Sequence, residues 1–97
     1  ENITALREAG LLSLLRPKRF GGLQTDIRTS LEIQAELARG CGSTSWVAGL
    51  GNVTAFFVAM FSDQTQHDVW GDNPDSWICA VYAGKDTHVE TLDNGWR

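Results

Sequence analysis

The sequence predicts a mainly α-helical chain that runs into the opening strands of a β structure. Three observations carry this reading. Apolar residues recur at three- and four-residue steps through four consecutive segments ending near Trp70. Gly, Pro or a Ser/Thr/Asp capping residue stands at each junction between those segments. Beyond Pro74 the period changes to two, and Asp93-Asn94-Gly95 is a hairpin turn signal.

The first helix is expected from about Asn2 to Ala9, with Ile3, Leu6 and the following Leu11 near one face. Gly10 suits the left-handed stop that ends many helices. Leu11, Leu12, Leu14 and Leu15 then form a short apolar turn ended by Pro17, which lacks the N–H that a continuing helix uses. Phe20-Gly21-Gly22 reads as a loop. The cations Arg16, Lys18 and Arg19 around Pro17 read as a solvated turn. In the second helix Thr29 and Glu32 have the capping-box spacing, and Leu31, Ala35 and Ala38, with Gln34 and Leu37 beside them, carry the period to Arg39. Gly40-Cys41-Gly42 breaks it.

The third helix is the most informative element. Ser43, Thr44 or Ser45 is its expected cap, and it runs to Met60 or Phe61. Trp46, Leu50, Val53 and Phe57 are expected to form one buried stripe. The other face is uncharged, with Ala48, Gly49, Gly51, Asn52, Ala55 and Ala59. A helix that is apolar or small all round is expected to be buried on every side. Each internal Gly costs roughly 1 kcal/mol relative to Ala, so Gly49 or Gly51 implies a close approach by neighbouring backbone or a ligand. A fourth helix, capped by Ser62 or Asp63, runs to Trp70 and stops at Gly71. Asp72-Asn73-Pro74-Asp75 is loop, Trp77 to Tyr82 is a β-type run, and Thr87 to Leu92 alternates. The helical part is therefore placed at 1–75 and the start of a β domain at 76–97.

Composition excludes several function classes. The chain has 97 residues, 42% hydrophobic and 21% charged, with a net charge of −4, which argues against nucleic-acid binding. Two cysteines, Cys41 and Cys79, make no disulfide framework and no metal-ligand spacing, and Cys79 reads as a small buried hydrophobe. No metal is expected. His67 and His88 read as solvent-facing. Neither a nucleophile–base arrangement nor a Gly-rich phosphate loop is present. No signal peptide or membrane-length apolar run occurs, so the expected location is the cytoplasm, away from membrane. A start at Glu1 and an end at Arg97, just after a turn, are what a fragment of a longer protein would show.

Several stretches carry a resemblance. Leu6-Arg7-Glu8-Ala9-Gly10-Leu11-Leu12 followed by Arg16-Pro17-Lys18-Arg19-Phe20-Gly21-Gly22 resembles the opening of acyl-CoA dehydrogenase-like proteins. Cys41 to Val47 resembles the start of that family's third helix, and Asp63-Gln64 to Val69-Trp70-Gly71 the next one. The Ser-Thr-x-Trp-Val form is most similar to the oxygenase components of two-component aromatic hydroxylases.

The resemblance implies the amino-terminal helical domain of the acyl-CoA dehydrogenase fold, about four helices leading into a middle β domain. It implies a homotetramer built through a carboxy-terminal bundle. It further implies reduced flavin, FMN or FAD, from a separate reductase, and hydroxylation of an aromatic or polycyclic small-molecule substrate with O₂. Dehydrogenases carry Thr-Glu and then Gly-Ser-Asp where this chain reads Val81-Tyr82-Ala83-Gly84-Lys85-Asp86, which favours the monooxygenase branch. An acyl-CoA dehydrogenase and a helical interaction module without chemistry are the alternatives. Within the branch, Thr54 falls within a residue of the position where phenol-hydroxylating relatives carry a substrate-holding His. Thr54, Asn52 and Trp46 are thus the expected substrate contacts, and Val81 and Tyr82 the expected flavin contacts. The catalytic residues are not specified within these 97 residues.

Overall fold

A computed structural model describes every residue except Glu1, Tyr82 and Asp86. Its elements are α1 (Asn2–Glu8), a 3-10 turn (Lys18–Phe20), α2 (Ile27–Gly40), α3 (Gly42–Val58), α4 (Asp63–Trp70), β1 (Thr91–Leu92) and β2 (Gly95–Trp96). The mainly helical class and the order of elements agree with the sequence reading.

Local chemistry explains most of the boundaries. Gly10 takes φ +73 and closes α1 as expected. The N-cap of α2 lies three residues earlier than the capping-box spacing predicts. The Asp26 carboxylate accepts from the Thr29 backbone N–H at 2.9 Å and from the Thr29 hydroxyl at 2.7 Å. A carboxylate outcompetes a hydroxyl as acceptor for the orphan N–H groups of a first turn, so Thr29 serves the cap from inside the helix. Cys41 alone separates α2 from α3, and no Ser or Thr side chain caps α3. Ser62 caps α4 through the Thr65 N–H, as expected.

The facing sides of α2 and α3 depart from the predicted stripes. Leu31, Ala35 and Ala38 are exposed, and Ser30, Gln34 and Leu37 turn inward. On α3 the buried residues are Ser45, Ala48, Gly51, Asn52, Thr54, Ala55 and Val58. Trp46 is 69% exposed, Val53 36% and Phe57 41%. The stripe Trp46–Leu50–Val53–Phe57 is therefore not buried here, nor is α3 covered on every side. Close packing of two helix backbones selects the small residues, and the Ser45 hydroxyl bonds the Gln34 carbonyl at 2.8 Å across the contact.

The hydrophobic cluster lies at the other end of α3. Phe20, Ala55, Val58 and Trp70 are buried together, with Ala59, Val69 and Ile78 against them. The Phe20 ring is 5.5 Å from Trp70 and meets His67 edge-on at 5.1 Å. Phe20 belongs to the 3-10 turn rather than to an open loop. Gly22 folds back on the main chain so closely that a Cβ there would lie 2.0 Å from the Arg16 carbonyl oxygen.

Between these two contacts, Asn52 ties α3 to the apolar turn. Its amide nitrogen donates to the Leu11 carbonyl at 2.8 Å and to the Ala48 carbonyl at 2.9 Å, and its oxygen accepts from the Leu15 N–H at 3.4 Å.

The β-type run is extended but not strand: residues 77–81 form no ladder among the described residues. Their hydrophobic side chains suit a sheet, yet a strand exists only where a partner supplies hydrogen bonds. The hairpin does form, with Thr91 opposite Trp96 and Leu92 opposite Gly95 across the Asp93-Asn94 turn. Glu90 and Arg97 extend it by two backbone bonds and an ion pair at 2.7 Å. The strand is shorter than the alternation from Thr87 suggests.

Two outcomes follow. Asn52→Ala is expected to lower stability by roughly 1–3 kcal/mol for each buried backbone group left without its partner, measured by chemical denaturation. Hydrogen bonds from Thr29 hold the Asp26 carboxyl below its ordinary pKa. Its cap therefore stabilises the fold above that ordinary value and is lost as pH falls through the lowered one. Asp26→Ala should shift the denaturation midpoint at pH 7 and cease to do so in strong acid.

Candidate functional site

The site candidates lie around α3, and the helical period decides which of them share a face. Val47, the adjacent pair Leu50 and Gly51, Thr54 and Val58 recur at three- and four-residue spacings along one face. Trp77 to Ala80 crosses the first part of this face. Together Val47, Leu50, Gly51, Trp77, Ile78, Cys79 and Ala80 line an apolar groove of about 190 Å³.

Gly51 makes the crossing possible. A Cβ at this position would lie 2.3 Å from Cζ2 of the Trp77 indole. The close approach expected at Gly49 or Gly51 is real, but both neighbours are side chains rather than backbone. At Gly49 the added atom would sit 3.3 Å from the Gln34 amide oxygen. Trp77 was not a sequence candidate; the internal Gly signals that something comes close without saying what.

Thr54 lies one turn beyond Leu50 on the groove face and is buried, its hydroxyl donating to the Leu50 carbonyl at 2.8 Å. Asn52 projects from the far side of the helix, where its amide is engaged by Leu11, Leu15 and Ala48. Trp46 stands at the amino end beside a second depression lined by Gln34, Gly42, Ser45, Gly49 and Leu50. The three substrate candidates thus do not converge on one cavity. Val81 follows the groove segment and is 88% exposed. Tyr82 lies outside the described residues.

Two further expectations change. Arg16 is not part of a solvated turn: it is 9% exposed, whereas Lys18 and Arg19 are exposed. Arg19 pairs with Asp63 at 2.7 Å, and that guanidinium holds the Asp63 carboxyl below the usual carboxylate range. Cys79 is exposed rather than buried, because its segment has the groove on one side only. His67 and His88 are exposed as expected. Among the described residues no His/Cys/Asp/Glu group could hold a metal ion, and no helix is long and apolar enough to cross a membrane.

Four helices leading into a hairpin, with a small-residue helix at the centre, make up a small helical domain. Residues 1–72 match the family described as acyl-CoA dehydrogenase, N-terminal domain, and the chain belongs to that family. Over 99% of its length it is 38% identical to the oxygenase component of an FADH(2)-dependent resorcinol hydroxylase from Rhizobium sp.. It is 36% identical, over the same share, to the oxygenase subunit HsaA of a flavin-dependent monooxygenase from Mycobacterium tuberculosis. The crystal structure of 3-HSA hydroxylase from Rhodococcus sp. RHA1 superposes with a TM-score of 0.72 at 39% identity, covering 76% of this chain and 19% of that one. The chain spans only 23% and 24% of the two relatives' lengths.

Gly51→Leu is expected to destabilise the chain by about 1–3 kcal/mol or more, because Trp77 occupies the space a side chain would need. An unchanged denaturation midpoint would mean that Trp77 does not seat on Gly51.

Proposed function

We propose that this chain is the amino-terminal part of the oxygenase component of a two-component, flavin-dependent aromatic hydroxylase. Reduced flavin, FMN or FAD, comes from a separate reductase, and with O₂ it hydroxylates an aromatic or polycyclic substrate. The observation that carries the proposal is the likeness to such oxygenase components over nearly the whole chain. The reading takes 1–75 as the helical domain, 76–97 as the start of a β domain, and the working protein as a cytoplasmic homotetramer.

The residues present suit a flavin. The groove is apolar, and Val81 stands exposed on extended backbone just beyond it. Such a wall fits a flat, largely apolar ring system, and Val81 and Tyr82 are the residues we assign to its edge. Bound there, reduced flavin supplies the activation of O₂.

The chain's own residues bind, orient and exclude water. Thr54 is the substrate contact we favour, because it shares the groove face. Its proton is donated to the Leu50 carbonyl, so towards a substrate the oxygen acts as acceptor, and a substrate hydroxyl that donates is the group it suits; it cannot serve as a base at neutral pH. Thr54 therefore orients rather than abstracts a proton. Asn52 fixes α3 from its far side by holding the 11–15 turn, and Trp46 offers an aromatic face at the amino end.

The test uses the complete oxygenase with reduced flavin, O₂ and a panel of phenols and polycyclic phenols. Hydroxylated product that depends on reduced flavin is expected; oxidation of acyl-CoA instead would overturn the proposal. Thr54→Val keeps volume and deletes the hydroxyl. A lost hydrogen bond of ~0.5–1.5 kcal/mol corresponds to substrate affinity weaker by roughly 2- to 12-fold, or to product formation uncoupled from flavin consumption. Stopped-flow absorbance with and without substrate reads both, and wild-type values would remove Thr54 from the site.

A further inference from the structure

Arg16 is a buried cation that neither the fold's apolar core nor the groove itself uses. Its Nη1 donates to the Pro74 carbonyl, its Nη2 reaches the Gly21 carbonyl at 3.5 Å, and Asp75 lies 3.8 Å away. Nε is buried without a partner. A cation is unfavourable to bury unless it is paired or hydrogen-bonded, so these carbonyl partners are what make the site tenable, and the backbone that presents Arg16 to them must be fixed. That backbone is fixed. Gly22 packs directly on the Arg16 backbone, and the Gln24 N–H donates to the Arg16 carbonyl at 3.1 Å.

What the guanidinium grips is the loop that delivers the groove wall. Pro74 and Asp75 lie in a turn closed by the Ser76 N–H on the Asn73 carbonyl at 3.0 Å. The next residues are Trp77, seated on Gly51, and Ile78, packed on the Phe20–Trp70 cluster. Apolar contacts hold Trp77 and Ile78 against α3, but they are non-directional and leave sliding along the helix cheap. A directional bond to the Pro74 carbonyl, three residues upstream of Trp77, restricts that sliding. Asp75 is 70% exposed, so its ion pair adds little by itself; the bonds to carbonyl oxygens do the holding.

We propose that Arg16 is a positioning residue, a clamp on the 73–76 loop that sets where the Trp77–Val81 wall lies along α3. Its consequence for hydroxylation rests on the function proposed above. Arg is suited to the role because its planar fork spans two carbonyls, whereas Lys keeps the charge as a single point.

The experiment compares wild-type complete oxygenase with Arg16→Gln, Arg16→Lys and Gly51→Ala. Amide hydrogen exchange in 76–81 is one readout. The melting temperature and the yield of hydroxylated product per reduced flavin consumed are the others. In Arg16→Gln, exchange at 76–81 is expected to rise several-fold with α2 and α3 unchanged, and yield to fall while O₂ consumption continues. Arg16→Lys should recover melting temperature more fully than exchange or yield. Gly51→Ala displaces the same wall, so combining it with Arg16→Gln should lower yield less than the two losses multiplied together. Exchange at 76–81 that is unchanged, or raised only in step with the whole domain, would overturn the clamp. If wild-type protein forms no product, the hydroxylase reading fails, and the exchange data still decide the role of Arg16.

Discussion

The carboxamide of Asn52 is the interaction on which the arrangement of this domain turns. It sits almost fully buried in the middle of α3 and reaches across to both ends of the Leu11–Leu15 turn. That turn has no regular hydrogen-bond ladder to organise it, so its inward-facing polar groups must be met by something else. Asn52 meets two of them and in doing so sets the path of the chain from α1 towards Phe20. With the turn in place, Leu14 and Leu15 are buried and Phe20 reaches Trp70.

The second constraint is the small side chains of α3. Ser45 and Ala48 let α2 approach on one side, and Gly51 lets Trp77 settle on another. The larger apolar residues, Trp46, Val53, Phe57, Met60 and Phe61, are left outward. This inverts the ordinary expectation that the largest apolar residues of a helix mark its core. Burial follows the distance at which partners pack, and two backbones that come close leave room only for small groups. α3 thereby acts as a spacer with two different walls, one structural against α2 and one open enough to form a groove.

The groove depends on both constraints at once. Its floor is the Gly51 face of α3, and its wall is the segment after α4, gripped upstream by Arg16, which directly follows the turn that Asn52 holds. A change at either tie would be felt at the Trp77 wall without touching the groove lining. Such coupling through a shared loop is a mechanical consequence of packing and hydrogen bonding, and calls for no second conformational state.

Much of this was legible in the residues. The four helices, the Gly10 stop, the Ser62 cap and the Asp93-Asn94-Gly95 turn each rest on chemistry within four or five positions of the chain, which is why reading along it suffices. The close approach at Gly51 was legible as a vacancy but not as an indole, since nothing local links residue 51 to residue 77. Only the tertiary structure decided the rest. It made Asp26 the cap in place of Thr29, turned Trp46 and Phe57 outward, buried Arg16 and left 77–81 without strand partners. The physical reason is common to most of these: burial and directional bonding belong to pairs of segments distant in sequence. Periodicity shows which residues share a face, and the partner that arrives determines which face is covered.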